Sequence, residues 1–162
     1  MSTNTEPKPF YYDDYNVGDE HQCVSYVVDR DEVIAFASKW DPQPWHIDEK
    51  AAKESYFGGL TACSAHIFSI FCITSQQWQS GVQQMAIAGL GFDDLRMHKP
   101  VYAGDTLRCF TVVEAKRESN SNPAGGICVC RVRLINQDKD VVFSIKASTM
   151  MMKDPERNTR RN

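Results

Sequence analysis

The sequence predicts an α+β fold in which an antiparallel β-sheet wraps around one long central α-helix, and three observations predict it. Ile67, Phe68, Ile70, Phe71, Cys72 and Ile73 cover nearly the whole circumference of a helix expected over residues 63–79. A helix that is apolar all round has to be covered by other structure. From residue 84 onward the apolar period changes to two: residues 85–90, 106–118, 126–136 and 141–152 carry alternating, β-branched or aromatic residues between turn signals. The turn-rich stretches SNSNPAGG and NQDKD separate the last three of these runs, as in an antiparallel meander. At 162 residues the chain can bury a core without disulfides or metal. We read residues 10–152 as one domain, with flexible segments at 1–9 and 153–162.

In chain order, residues 1–9 are polar with two prolines, and Phe10, Tyr11, Tyr12 and Tyr15 offer aromatic area to anchor the N-terminal segment. Residues 21–28 read as the first strand. Asp29 is placed to cap a helix, and Glu32 three positions on completes a capping-box pattern. Val33, Phe36, Ala37 and Trp40 come next at helical spacing, so the helix delivers Asp41 at its C-terminal end. Pro42 and Pro44 each remove a backbone donor and push the preceding residue toward extended geometry, so a stiff loop is expected here and not an ordinary helix. Asp48 can cap a short turn through Ala51 and Ala52. Gly58-Gly59 breaks the chain before the central helix. The polar tail carries Arg157, Arg160 and Arg161 and is expected to fray.

Composition excludes several classes. A net charge of -3 gives no general attraction for nucleic acid. No apolar run reaches the ~20 residues of a membrane-spanning helix. The N-terminus lacks the basic start and apolar core of a signal peptide, which points to the cytoplasm. The six cysteines then lie in a reducing compartment; five read as small buried apolar residues, and Cys63 stays open because of its place at the start of the central helix. On a strand, Cys128 and Cys130 would share a face. The histidines at 21, 46, 66 and 98 lack metal-ligand spacing and no phosphate-binding glycine loop is present, so no metal or other cofactor is implied.

The chemistry concentrates in WDPQPWHID. Asp41 and His46 stand five residues apart, and a stiff segment can hold a carboxylate and an imidazole at the fixed separation that general acid/base catalysis needs. His66, one turn into the central helix, reads as a hydrogen-bonded core residue. Arg96 and Lys99, with His98 between them, form a small basic group suited either to phosphate or to plain solvation.

DPQPWHID, followed by SYFGGLTACSAH and later by LGFDDLRMHKPVYAGDTL with its PV..GDTL element, resembles the signature of the MaoC-like dehydratases, or R-specific enoyl-CoA hydratases. The resemblance runs from about residue 10 to residue 152. It implies the hot-dog fold, with Asp41 and His46 as the catalytic pair on the water that is added to a 2-enoyl thioester. It also implies an oxyanion or substrate-binding role for Gly59 and for the backbone N–H groups of Cys63 and Ser64, and a coenzyme A contact at Arg96 and Lys99. The implied partner is an acyl-CoA substrate, without nucleic acid or membrane. Exposed edge strands imply a homodimer, with higher oligomers of dimers left open. Ser64 stands where the family usually has glycine, and Gln43 where it often has asparagine. Two other readings share the fold: a thioesterase, which would need a carboxylate on the central helix where residues 63–79 have none, and a non-catalytic acyl-thioester-binding subunit.

Overall fold

The computed structural model describes residues 6–159. A short strand, β1 (Pro9–Phe10), and a 3-10 turn (Tyr12–Asp14) precede the first long strand, β2 (Glu20–Val27). Three helices come after it: α1 (Arg30–Trp40), the single turn α2 (Pro44–Ile47) and α3 (Glu49–Glu54). The central helix α4 (Ser64–Ser75) leads into β3 (Gln83–Gln84), β4 (Ala86–Met97), β5 (Thr106–Glu118), β6 (Gly125–Ile135) and β7 (Val141–Met152), and a last helical turn, α5, spans Pro155–Thr159. Five strands form one antiparallel sheet in the order β2-β5-β6-β7-β4, and α4 lies across β2, β5 and β6. This is the hot-dog arrangement expected from the sequence.

The expected N-cap of α1 forms: Asp29 Oδ1 accepts the Glu32 N–H at 2.9 Å. The reciprocal half of the capping box does not, because the Glu32 carboxylate accepts from the Tyr26 hydroxyl at 2.5 Å instead. Asp48 likewise caps α3, accepting from Ala51 N–H at 2.8 Å. The proline segment differs from the stiff loop expected. It contains one helical turn, α2, because Pro44 takes its first position, where a missing N–H costs nothing and the fixed φ suits a helix.

Helix α4 is shorter than the expected 63–79. Its end is set by the outer edge of β2, which claims the chain beyond it: Gln77 O accepts from Val24 N–H at 2.8 Å and Gln79 N–H donates to Gln22 O at 2.9 Å. Trp78 seals this turn by stacking on His21 at 3.7 Å and meeting Phe10 edge-on at 5.1 Å. Nor is α4 covered all round. A single sheet protects one side, burying Ile67, Ile70, Phe71 and Thr74, and Ile73 on the other side stays 48% exposed. Of the five cysteines expected inside, Cys23, Cys109 and Cys128 are buried, whereas Cys72 and Cys130 are only half-buried; all six thiols are free.

At the ends, β1 pairs in parallel with β3, and Tyr12 and Tyr15 are buried as the aromatic anchors expected. Arg157 in α5 pairs with Asp14 at 2.9 Å and Asp154 at 3.1 Å. Residues 1–5 of the expected flexible N-terminus, and Arg160 and Arg161 of the tail, lie outside the described residues.

Candidate active site

Asp41 and His46 are brought together where α1 ends and α2 begins. Asp41 is the C-cap of α1, its N–H donating to Ala37 O at 2.8 Å, and two residues later Gln43 N–H donates back to Asp41 O at 2.8 Å. This fold-back turns the carboxylate toward α2, so that Asp41 Oδ2 stands 3.9 Å from His46 Nε2. The distance is too long for a direct hydrogen bond and suits a water held by both. Asp41 is half-exposed and His46 is buried.

The imidazole is fixed from its other side. His46 Nδ1 lies 2.6 Å from the Thr61 carbonyl oxygen and 3.2 Å from the Thr61 hydroxyl. A carbonyl can only accept, so Nδ1 carries the proton and donates it, which leaves the Nε2 lone pair on the side of Asp41. Trp45 Nε1–H donates to that same Nε2 at 3.1 Å. Thr61 also ties this corner to the rest of the fold: its N–H donates to Trp45 O at 3.2 Å, and the adjacent Ala62 N–H donates to Val101 O at 2.8 Å.

The segment holding His46 therefore runs directly into α4. Cys63, 1% exposed, is the N-cap of α4 and makes no side-chain bond to the first turn, while Ser64 is exposed. The first N–H groups of a helix have no partners within it, so this end presents donors with the positive end of the helix dipole behind them. The two glycines before it have separate causes. Gly58 has a φ of +68°. A Cβ on Gly59 would lie 3.4 Å from the Tyr102 ring, whose hydroxyl donates to Phe57 O at 2.8 Å. In the PV..GDTL element, Gly104 has a φ of +93°, and Asp105 closes the turn by accepting from Tyr102 N–H at 2.8 Å.

His66 is in the core, as expected, but it is not hydrogen-bonded. It stacks on Phe36 at 4.7 Å, its Nε2 stands 3.4 Å from Glu32 Oε1, and neither ring nitrogen has a hydrogen-bond partner. Burial pushes its imidazole below the usual histidine range, with Glu32 acting in the opposite sense. Arg96 and Lys99 are exposed and ion-paired, with Asp94 at 3.5 Å and Asp140 at 2.7 Å. Lys99 stands two residues before Val101, and so flanks the Ala62 corner; Arg96 is three residues further back.

Beneath the C-terminal half of α4 lies a cavity of about 840 Å³, lined by Phe71, Cys72 and Ser75 from the helix and by Ala88, Cys128 and Cys130 among the strands. Cys128 and Cys130 thus do share a face. Neither Asp41 nor His46 lines it; the pair sits toward the other end of the helix.

The model of the MaoC like domain family matches residues 16–126. The chain belongs to the MaoC-like dehydratase family. Its fold is similar to the crystal structure of a MaoC-like dehydratase from Rhodospirillum rubrum, with a TM-score of 0.81 and 33% identity over 90% of this chain and 99% of that one. In sequence it is 29% identical over 140 residues to the uncharacterized protein YdeM of Bacillus subtilis, covering 86% of this chain and 96% of YdeM. It is 34% identical over 95 residues to a mesaconyl-CoA hydratase of Cereibacter sphaeroides, a match that spans 59% of this chain and 27% of that protein. Among the described residues, no helix is long and apolar enough to cross a membrane.

Two contributors to this site escape a reading of the sequence. Thr61 acts through its backbone carbonyl from 15 residues away, so no side-chain pattern marks it. Trp45 adjoins His46, and its aromatic ring beside a candidate base was the one available signal.

Proposed function

We propose that this family member is a hydratase that reversibly adds water to a 2-enoyl thioester, giving a 3-hydroxyacyl thioester. The observation that carries the reading is the Asp41–His46 pair, 3.9 Å apart with the Nε2 lone pair of His46 on the side of the carboxylate. Asp41 holds the water by accepting one of its hydrogens. His46 Nε2 takes the other proton as the water oxygen bonds to the β-carbon, then delivers it to the α-carbon on the same face. Charge builds on the thioester oxygen as the α-carbon becomes nucleophilic, and the backbone N–H groups of Cys63 and Ser64 are the donors for it. Gly59 lets the chain pass close to Tyr102 just before that helix end. The chemistry needs only water and the thioester.

The cavity under α4 has the volume and apolar lining of a small-molecule site and is the place for the acyl chain, which would run along the ~18 Å of the helix from the pair. Lys99, with Arg96 behind it, is the candidate contact for the phosphates of coenzyme A. The similarity to a mesaconyl-CoA hydratase supports a coenzyme A thioester as substrate. Six free thiols suit a cytoplasmic setting. A thioesterase reading is disfavoured because α4, SAHIFSIFCITS, carries no carboxylate.

The test is to follow the absorbance of a panel of 2-enoyl-CoA thioesters with purified protein. Saturable loss of the conjugated double bond supports the reading. Hydrolysis to free coenzyme A without hydration, or binding without turnover, replaces it with the thioesterase or the binding-subunit reading.

A further inference from the structure

We propose that Trp45 is a positioning residue of the pair: its indole N–H caps the Nε2 lone pair of His46 and must release that nitrogen before water is held between His46 and Asp41. The inference rests on the hydratase reading and adds a step to it. With the Nδ1 proton committed to the Thr61 carbonyl at 2.6 Å, the neutral imidazole has one lone pair left, at Nε2. That lone pair already accepts from Trp45 Nε1–H at 3.1 Å. An indole N–H only donates, so it competes directly with any water that must donate to the same nitrogen. Asp41, 3.9 Å away, is the charged group that faces His46 Nε2, whereas the segment before α4 presents only the neutral Thr61.

The surroundings allow the indole to move without the backbone. Trp45 O is held by Thr61 N–H at 3.2 Å, and the half-buried ring packs on one side against the core, with a tilted contact to Phe57 and an edge-on contact to His46, each at 6.0 Å between centroids. Rotation about the side-chain bonds would uncover Nε2 while His46 stays fixed through Nδ1. The cap thus occupies Nε2 between turnovers, and substrate binding is opposed by one hydrogen bond. Removing the donor should therefore strengthen apparent substrate binding without slowing the chemical step.

Trp45→Phe keeps an aromatic ring and deletes the donor. In the full chain without substrate, the His46 ring nitrogens are followed by long-range proton–nitrogen NMR, assigned by their loss in His46→Gln. The Nε2 resonance should move downfield toward a free imine nitrogen in Trp45→Phe, with Nδ1 still protonated. In hydration kinetics KM should fall about two- to tenfold, the range set by one net hydrogen bond, at unchanged kcat. An unchanged nitrogen spectrum, an unchanged KM, or a loss of kcat would overturn the cap. Should the Phe variant not fold, Trp45→Leu repeats the test, and the wild-type Trp45 indole proton provides another: it should shift when an unreactive saturated acyl-CoA binds, and a fixed signal would overturn the inference. A wild type inactive on every thioester strikes the hydratase reading alone, since the ligand-free spectrum still decides whether the cap exists.

Discussion

His66 sits one turn into α4 with both ring nitrogens buried and without hydrogen bonds, and this environment sets the sign of its effect on stability. Burial holds its folded-state pKa below the ordinary 6.5. As pH falls through about 6.5 the unfolded chain takes up a proton before the folded one does, so the stabilisation present above that pH is lost progressively below it. Denaturation of wild type and His66→Gln at about pH 7.5 and about pH 5.5, either side of the unfolded value, should show a steeper loss in wild type. Equal losses would mean that His66 is protonated as easily in the fold as out of it. Asp41 and His46 were legible in the sequence because their spacing and the prolines between them are local. The carbonyl of Thr61 was not, because the contact is made by backbone across a tertiary turn. His66 was legible as core but not as lacking a hydrogen bond, since Glu32 turns one carboxylate oxygen to the Tyr26 hydroxyl and leaves the other 3.4 Å from the ring.

Among the elements, the strands at 106–118 and 141–152 coincide with the alternating runs, because an uninterrupted period of two has one consistent reading. Strand β4 is twice the length expected. Its register shifts, and the φ of +55° at Asp94 breaks the alternation beyond residue 90. The one-turn helix α2 and the early end of α4 depend on partners that local pattern does not contain. At the far side of the sheet, β6 must bring Gly126 against Tyr12, where a Cβ would lie 2.3 Å from the ring. Tyr12 is buried, with Lys116 Nζ 4.4 Å from its ring centre, so it has little room to yield. Gly126→Ala should cost about 1–3 kcal/mol in urea denaturation, as overpacking does. A loss below about 0.5 kcal/mol would show that the Tyr12 ring moves aside freely.

For the whole molecule, the two edges of the sheet differ. The outer edge of β2 is occupied by residues 77–79, whereas β4 ends the sheet on the other side with Ile87, Leu90, Phe92, Leu95 and Met97 all more than a third exposed. Phe92 meets Phe68 of α4 at 5.1 Å, so this edge is continuous with the less covered side of the helix. An apolar edge of this length calls for a second copy across a two-fold axis. The protein should sediment as a dimer at micromolar concentration, and a fully active monomer would contradict that. Dimerisation was expected from the sequence only in general terms, since which edge is bare depends on where the chain goes after α4.

The central claim is that Asp41 and His46 act as a unit on one water. It is tested most directly by kcat/KM for hydration of a short 2-enoyl-CoA with wild type, Asp41→Asn, His46→Gln and the double mutant, with thermal melts to confirm folding. Asp41→Asn keeps side-chain shape and His46→Gln keeps a polar side chain of similar reach, and both remove basicity, so each should abolish most turnover, and the double mutant should be scarcely worse than either single one. Losses that multiply in the double mutant, or single mutants that keep most of the wild-type rate, would contradict the account.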